Sequence, residues 1–115
     1  MKIFRPPVRM LSILSIGLFP TFSSASPSFD CNAVKESSIE KLICGNEELS
    51  ELDLKLSNTY SDAVKKVDSK KLASLKAIQR GWVKGRNEGW KSDDQKKCIA
   101  NSYINRIAEV QAEYE

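Results

Sequence analysis

The chain has 115 residues, no histidine, and a formal charge of +3 from 18 Lys+Arg against 15 Asp+Glu. The missing histidine excludes imidazole acid–base catalysis and histidine metal sites, and a chain of this size forms one domain with a modest core. Since Lys2, Arg5 and Arg9 account for the whole excess, the rest of the chain is formally neutral, which removes the main support for nucleic-acid binding.

Those three bases also open a segment with the features of a cleaved secretory signal. Residues 10–19 are apolar but too few to span a bilayer, and Ser23 and Ala25 are small residues at positions −3 and −1 of a cleavage site. We therefore predict a signal peptide over residues 1–25 and a periplasmic or secreted domain over residues 26–115. We predict no membrane anchor after cleavage.

Three cysteines would reach an oxidising compartment, where an odd number leaves one thiol unpaired or bonded between molecules. Cys31 and Cys44 are close in sequence and flank a short predicted helix, so we predict that they form a disulfide, worth roughly 3 kcal/mol in the chain-entropy model. Cys98 is then the unpaired thiol, and the protein is a monomer or a Cys98-linked dimer. No lipobox precedes Cys31, so we do not predict a lipoprotein.

The first two predicted helices follow the cysteine segment. Ser37 and Glu40 have the spacing of a capping box, and the short helix that they begin should end at Gly45. Asn46 can cap a longer helix that runs to about Val67. Its apolar stripe steps by three and four residues: Leu49, Leu52, Leu56, Tyr60, Ala63 and Val67.

A central helix, which Ser69 can cap, is predicted because apolar residues recur at helical spacing between Leu72 and Trp90. Its apolar face consists of Leu72, Leu75, Ile78 and Trp82. Small residues recur at every fourth position, which predicts a close helix crossing from Ala73 to Gly85 and fraying near Gly89.

A last helix should begin at Ser92-Asp93-Asp94, with an apolar stripe of Ile99, Tyr103, Ile107, Val110 and Tyr114. No strand pattern is present. The chain is thus predicted to be all-α, a small antiparallel bundle of one short and three longer helices.

Polar residues interrupt the apolar faces. Gln79 and Arg86 project from the apolar face of the central helix. Because a buried guanidinium without a partner is very costly, Arg86 should either form an ion pair with a carboxylate or extend its guanidinium into solvent. Glu40 and Asp53 are the candidate acids, although Glu40 could instead cap its own helix. The candidate ion-pair or binding residues are Glu40, Asp53, Gln79, Trp82, Arg86, Asn87 and Arg106.

No catalytic residue, metal ligand set or cofactor is predicted. The paired carboxylates Glu47-Glu48 and Asp93-Asp94 stand at helix starts, where capping explains them, and the three cysteines lack the spacing of a closed zinc site. Without an assembled acid–base or nucleophile set, the chain is not expected to be an enzyme.

The chain contains a series of short motifs: Phe29-Asp30-Cys31, Ile39 to Cys44, Leu49 to Asp53, Gln79 to Trp82, Arg86-Asn87, and Cys98 with Tyr103 and Arg106-Ile107. In their order and spacing these motifs resemble the LprI-type lysozyme-inhibitor N-terminal domain family. The resemblance implies a small exported helical domain with two disulfides. The first carries over to Cys31 and Cys44. The second does not, because Glu88-Gly89-Trp90 stands where the family usually has the cysteine that pairs with Cys98.

Two hypotheses for function follow. The first is a binding protein that inhibits lysozyme or a related cell-wall hydrolase, because residues 26–62 hold eight acids and three bases and lysozymes are typically cationic. The alternative is a periplasmic structural or interaction protein with another protein partner and no inhibitory activity.

Overall fold

The computed structural model describes residues 25–114, and these confirm the all-α class. A short 3-10 turn, Cys31–Ala33, precedes the six-residue helix α1, Ile39–Cys44, and the long helix α2, Glu47–Lys66. Helix α3, Ser69–Asn87, continues into a second 3-10 segment, Glu88–Lys91, and α4, Gln95–Tyr114, completes the chain. The predicted signal peptide lies outside the described residues except for Ala25.

Side-chain caps fix the starts of the helices. Asn46 accepts from the N–H of Leu49 at 2.9 Å, as predicted, and begins α2. Two predicted caps are wrong by one residue. Ser38 rather than Ser37 caps α1, since its Oγ accepts from the N–H of Lys41 at 3.1 Å, and Asp68 rather than Ser69 caps α3.

The three long helices form an up–down–up arrangement. Asp53 of α2 lies beside Tyr103 of α4, and farther along both helices Ala63 lies near Val110, so α2 and α4 run in the same direction. Helix α3 runs opposite to both, because its Trp82 indole N–H donates to the Ser102 carbonyl at 3.1 Å and the earlier Gln79 meets the later Arg106. Helices adjacent in sequence are therefore antiparallel, as predicted.

The core lies between α2 and α4, with α1 packed on α2 and α3 packed on α4. Its buried apolar residues are Ile39, Ile43, Leu49, Leu56, Ala63, Leu75, Ile99, Ala100, Tyr103, Ile107 and Val110. The predicted disulfide is confirmed, since Cys31 and Cys44 are bonded, with their Cα atoms 5.9 Å apart. The cystine attaches the amino-terminal segment to the end of α1.

The prediction for the small-residue ridge of α3 is wrong. Ala73, Ala77, Gly81 and Gly85 are all exposed, and a Cβ added at either glycine would meet no atom within 4 Å. Ile78, which was assigned to the apolar face, is 51% exposed. The reason is that α3 contacts α4 through only a narrow face, which contains Leu75, Trp82 and Arg86.

The close approach occurs instead at Gly89, where fraying was predicted. Gly89 is buried in the 3-10 segment, and a Cβ there would lie 2.8 Å from Cγ1 of the fully buried Ile99. The turn between α3 and α4 is therefore packed directly against the start of α4, although it has no disulfide.

This contrast predicts opposite effects of alanine at two glycines. Gly89→Ala should lower the free energy of unfolding by about 1–3 kcal/mol, because the new methyl group overpacks against Ile99. Gly85→Ala should leave it unchanged or raise it by up to about 1 kcal/mol, because alanine favours an exposed helix position. Urea unfolding followed by circular dichroism measures both, and equal effects of the two substitutions would contradict the close packing of Gly89.

Candidate functional site

Arg86 is the centre of a buried polar network that joins α1, α3 and α4. Its side chain is 6% exposed, and Nη2 lies 3.0 Å from Oε2 of Glu40. Nε and Nη2 also donate to Oδ1 of the neighbouring Asn87 at 3.1 and 2.8 Å, and Nη1 donates to the Tyr103 hydroxyl at 3.0 Å. All three nitrogens of the guanidinium are therefore hydrogen-bonded within the protein.

Tyr103 extends this network to α2. Its hydroxyl donates to Oδ1 of Asp53 at 2.6 Å while it accepts from Arg86. The other oxygen of Asp53 accepts from the backbone N–H and the hydroxyl of Ser28, at 2.6 and 2.7 Å. Burial, together with the hydrogen bond to Asp53, raises the pKa of Tyr103 well above its usual range. Asp53 thus reaches Arg86 through Tyr103, not directly.

A second buried arginine, Arg106, makes its own polar contacts one helical turn after Tyr103 on α4. The Nε of Arg106 donates to Oε1 of Gln79 at 2.9 Å, and its Nη1 lies 3.2 Å from the exposed carboxylate of Glu109. Arg106 is 5% exposed, and its buried Nη2 has no hydrogen-bond partner among the described residues. Arg106 is therefore less completely paired than Arg86.

The aromatic residue Trp82 covers the Arg86 network. Its ring centroid lies 5.8 Å from Cζ of Arg86 and 4.9 Å from the Tyr103 ring, which it meets edge-on. This position favours the guanidinium through the negative face of the indole.

The structure thus brings Glu40, Trp82, Arg86 and Asn87 together, connects Asp53 to them through Tyr103, and places Gln79 and Arg106 in a separate pair. Sequence reasoning missed two members, Ser28 and the hydroxyl of Tyr103. A tyrosine in a fully apolar stripe was a usable signal, because a buried tyrosine hydroxyl needs a partner. Ser28 lies in an irregular segment with no comparable signal.

Phe29 separates two clefts on either side of the network. One, of about 250 Å³, is lined by Asp53 and Trp82 among others, and the second, of about 370 Å³, by Val34 and Glu40. Arg86 lines both clefts, yet its hydrogen bonds are already made. The network therefore holds the elements together and offers little unused binding capacity to a ligand.

Exposed acids lie around the amino-terminal end of the domain. Glu36 is exposed before α1, and Glu47, Glu48 and Glu51 are exposed on the first turns of α2. Lys41 is the single base between Glu36 and Asp53. We call the four exposed carboxylates of Glu36, Glu47, Glu48 and Glu51 the acidic surface.

Residues 25–114 contain no cluster of three or more potential metal ligands, and the free thiol of Cys98 is exposed. No helix in this range is long and apolar enough to cross a membrane. The fold and the site therefore define a small disulfide-linked helical domain, stabilised by an internal arginine network and bearing an acidic surface.

Comparison with known proteins identifies the family. The model of the family described as "Lysozyme inhibitor LprI" matches residues 31–113, so the chain belongs to this family and the resemblance found in its motifs is confirmed. The chain is 27% identical over 90 residues to proteins named "Lipoprotein LprI" from Mycobacterium bovis and Mycobacterium tuberculosis. The match covers 78% of this chain but 44% of each relative. No solved structure matches significantly.

The Arg86 network generates a stability prediction. Arg86→Ala should lower the free energy of unfolding by about 2–4 kcal/mol, because it leaves Glu40 and the Tyr103 hydroxyl without their partner. Arg80→Ala, on the exposed side of the same helix, is the matched control and should change it by less than about 0.5 kcal/mol. Chemical unfolding measures both, and an unchanged midpoint for Arg86→Ala would show that the network contributes nothing to stability.

The raised pKa of Tyr103 generates a prediction at alkaline pH. The folded state favours the protonated phenol of Tyr103, and this preference contributes to the free energy of unfolding. The contribution is fully present below the unfolded pKa of about 10 and is lost as the pH rises toward the folded pKa. Tyr103→Phe should therefore be destabilising at pH 7, by about 1–3 kcal/mol, because it leaves Asp53 and Arg86 with unfilled hydrogen bonds. The difference between the two proteins should shrink above pH 10. A difference that stays constant from pH 7 to pH 11 would contradict this reading.

Proposed function

We propose that this protein is an exported binding protein that inhibits lysozyme. The observation that carries the proposal is membership of a family described as lysozyme inhibitors, over residues 31–113. The chain spans less than half the length of the curated relatives that it matches. We propose that the helical domain itself carries the inhibitory activity. The family description, which names an inhibitor, also supports a role without catalysis.

The acidic surface is the proposed contact with lysozyme. Lysozymes are typically cationic, and complementary charge accelerates the encounter of two proteins and orients them. The arginine network supports this role indirectly, since Glu40 fixes α1 and the caps at Ser38 and Asn46 fix the starts of α1 and α2. We propose that, in the interaction with lysozyme, the exposed acids make the contact, while the role of the remaining candidates is to shape the domain: Glu40, Asp53, Gln79, Trp82, Arg86, Asn87 and Arg106.

We also propose that residues 1–25 are a signal peptide and that the protein acts in the periplasm or after secretion. Mass spectrometry of the amino terminus of protein recovered from the periplasm tests the cleavage after Ala25. The exposed thiol of Cys98 allows either a monomer or a Cys98-linked dimer. Gel filtration with and without reductant distinguishes these two states.

A turbidity assay tests inhibition. Purified protein should slow the clearing of a bacterial cell-wall suspension by lysozyme in proportion to its concentration. Absence of inhibition at large molar excess would remove lysozyme as the target and favour the alternative of an envelope interaction protein with a different partner.

Neutralising the acidic surface tests which residues bind. Glu48→Gln combined with Glu51→Gln should weaken inhibition several-fold at low salt, and the loss should shrink at high salt, because exposed charges are screened. Asp62→Asn combined with Glu113→Gln removes the same charge from exposed positions toward the other end of the bundle and should have little effect. Equal losses in the two double variants would show that net charge, not the acidic surface, governs binding.

A further inference from the structure

A groove lies between α2 and α3. The charged side chains of Lys76 and Arg80 that line its outer part are positive, opposite in sign to the acidic surface. The groove consists of two adjoining clefts of about 250 and 220 Å³, and Tyr60, Gln79 and Val83 line both of them. Together they make an elongated opening between the two helices. We call this opening the α2–α3 groove.

Gln79 lines both clefts of this groove. Its Oε1 accepts from Nε of Arg106 at 2.9 Å. Arginine can only donate, so this bond fixes which end of the amide faces the guanidinium. The NH₂ end of Gln79 must therefore point away from Arg106, and no acceptor for it is present among the described residues.

The carboxylate that lines the groove, that of Asp53, is already hydrogen-bonded. Both oxygens of Asp53 are hydrogen-bonded, one to Tyr103 and the other to Ser28. In contrast, Lys76 and Arg80 line the outer cleft and form no ion pair within residues 25–114. The charged side chains at the groove that have no ion-pair partner are thus cations, while the hydroxyls of Ser57 and Tyr60 can donate or accept.

Arg106 adds positive charge behind Gln79. Its one carboxylate partner is the exposed Glu109, and its buried Nη2 has no hydrogen-bond partner among the described residues. A buried guanidinium that is incompletely paired favours a nearby anion. The walls of the groove include the apolar or aromatic side chains of Leu56, Tyr60, Trp82 and Val83, together with polar residues such as Ser57.

From these contacts we propose that the α2–α3 groove binds an extended peptide segment of a partner protein in which a carboxylate stands next to an apolar side chain. The apolar side chain occupies the cleft between Leu56 and Trp82. The carboxylate accepts from the Gln79 amide and is attracted by Lys76 and Arg80. This site does not depend on inhibition of lysozyme, whose proposed contact is the acidic surface.

The probe is the dipeptide N-acetyl-leucyl-phenylalanine, which ends in a free carboxylate, and its C-terminal amide is the matched control. Isothermal titration calorimetry with the purified protein should give a Kd below about 1 mM for the acid, and at least about fivefold weaker binding for the amide. Sodium acetate, titrated alone, distinguishes a site for a bare carboxylate from one that also requires the apolar side chain.

Two variants locate the site. Gln79→Glu keeps an acceptor for Arg106, so the fold is retained, but it replaces the donor in the groove with a negative charge and should weaken binding of the acid by roughly tenfold or more. Arg80→Ala should weaken it by about two- to fivefold, as expected for an exposed charge. Lys84→Ala removes the same charge from a residue of α3 that lines neither cleft and should leave the Kd unchanged.

The outcomes separate clearly. Preference for the acid over the amide, lost in Gln79→Glu and kept in Lys84→Ala, supports the proposal. Equal binding of acid and amide, or acetate binding as tight as that of the dipeptide, overturns it. A groove filled by a second copy of the chain also overturns it, and would appear as self-association in sedimentation that Gln79→Glu abolishes.

Discussion

The pairing of Arg86 with Glu40 is the interaction on which the arrangement of the helices depends. A guanidinium buried to this degree is tolerated only when its charge and its donors are matched, which requires α1, α3 and α4 to be in place at once. Tyr103 then carries the constraint to Asp53 on α2. Each partner comes from a different helix, so the network favours one relative placement of the four helices over others with equally apolar contacts.

Helix α1 shows why such a constraint is needed. With six residues it is too short to be stable alone, and it is held from three sides. The cystine holds its end, Glu40 holds its first turn, and the carbonyl of Ile43 accepts from the buried hydroxyl of Ser50 at 2.7 Å. These contacts set the angle between α1 and α2, and with it the position of Glu36 relative to the acids at the start of α2. The stability of the arginine network and the shape of the acidic surface are therefore linked.

Sequence reasoning succeeded for features that depend on a pattern within one segment. It failed for features that depend on how two helices pack against each other. The stripes of α2 and α4, the disulfide and the need of Arg86 for an acid followed from spacing and from the cost of burying charge. The exposure of Ile78 did not follow, because hydrophobic periodicity cannot show how narrow a contact will be. For the same reason the small residues from Ala73 to Gly85 resembled a helix-crossing face although they face solvent. The hydrogen-bonding role of the Tyr103 hydroxyl was missed because Tyr103 lies within an apolar stripe.

Gly89 explains how the turn before α4 stays packed without the second disulfide that the family resemblance implied. The sulfur of Cys98 lies 4.0 Å from the position that a Cβ would occupy on Gly89, so the backbone is already close to where a cross-link would run. Because glycine has no side chain, the backbone at residue 89 packs directly on Ile99. This burial, in place of a disulfide, fixes the turn. Cys98 itself is exposed and its thiol is free. The turn is thus held by contacts that do not depend on the oxidation state of Cys98, whereas the end of α1 depends on its cystine.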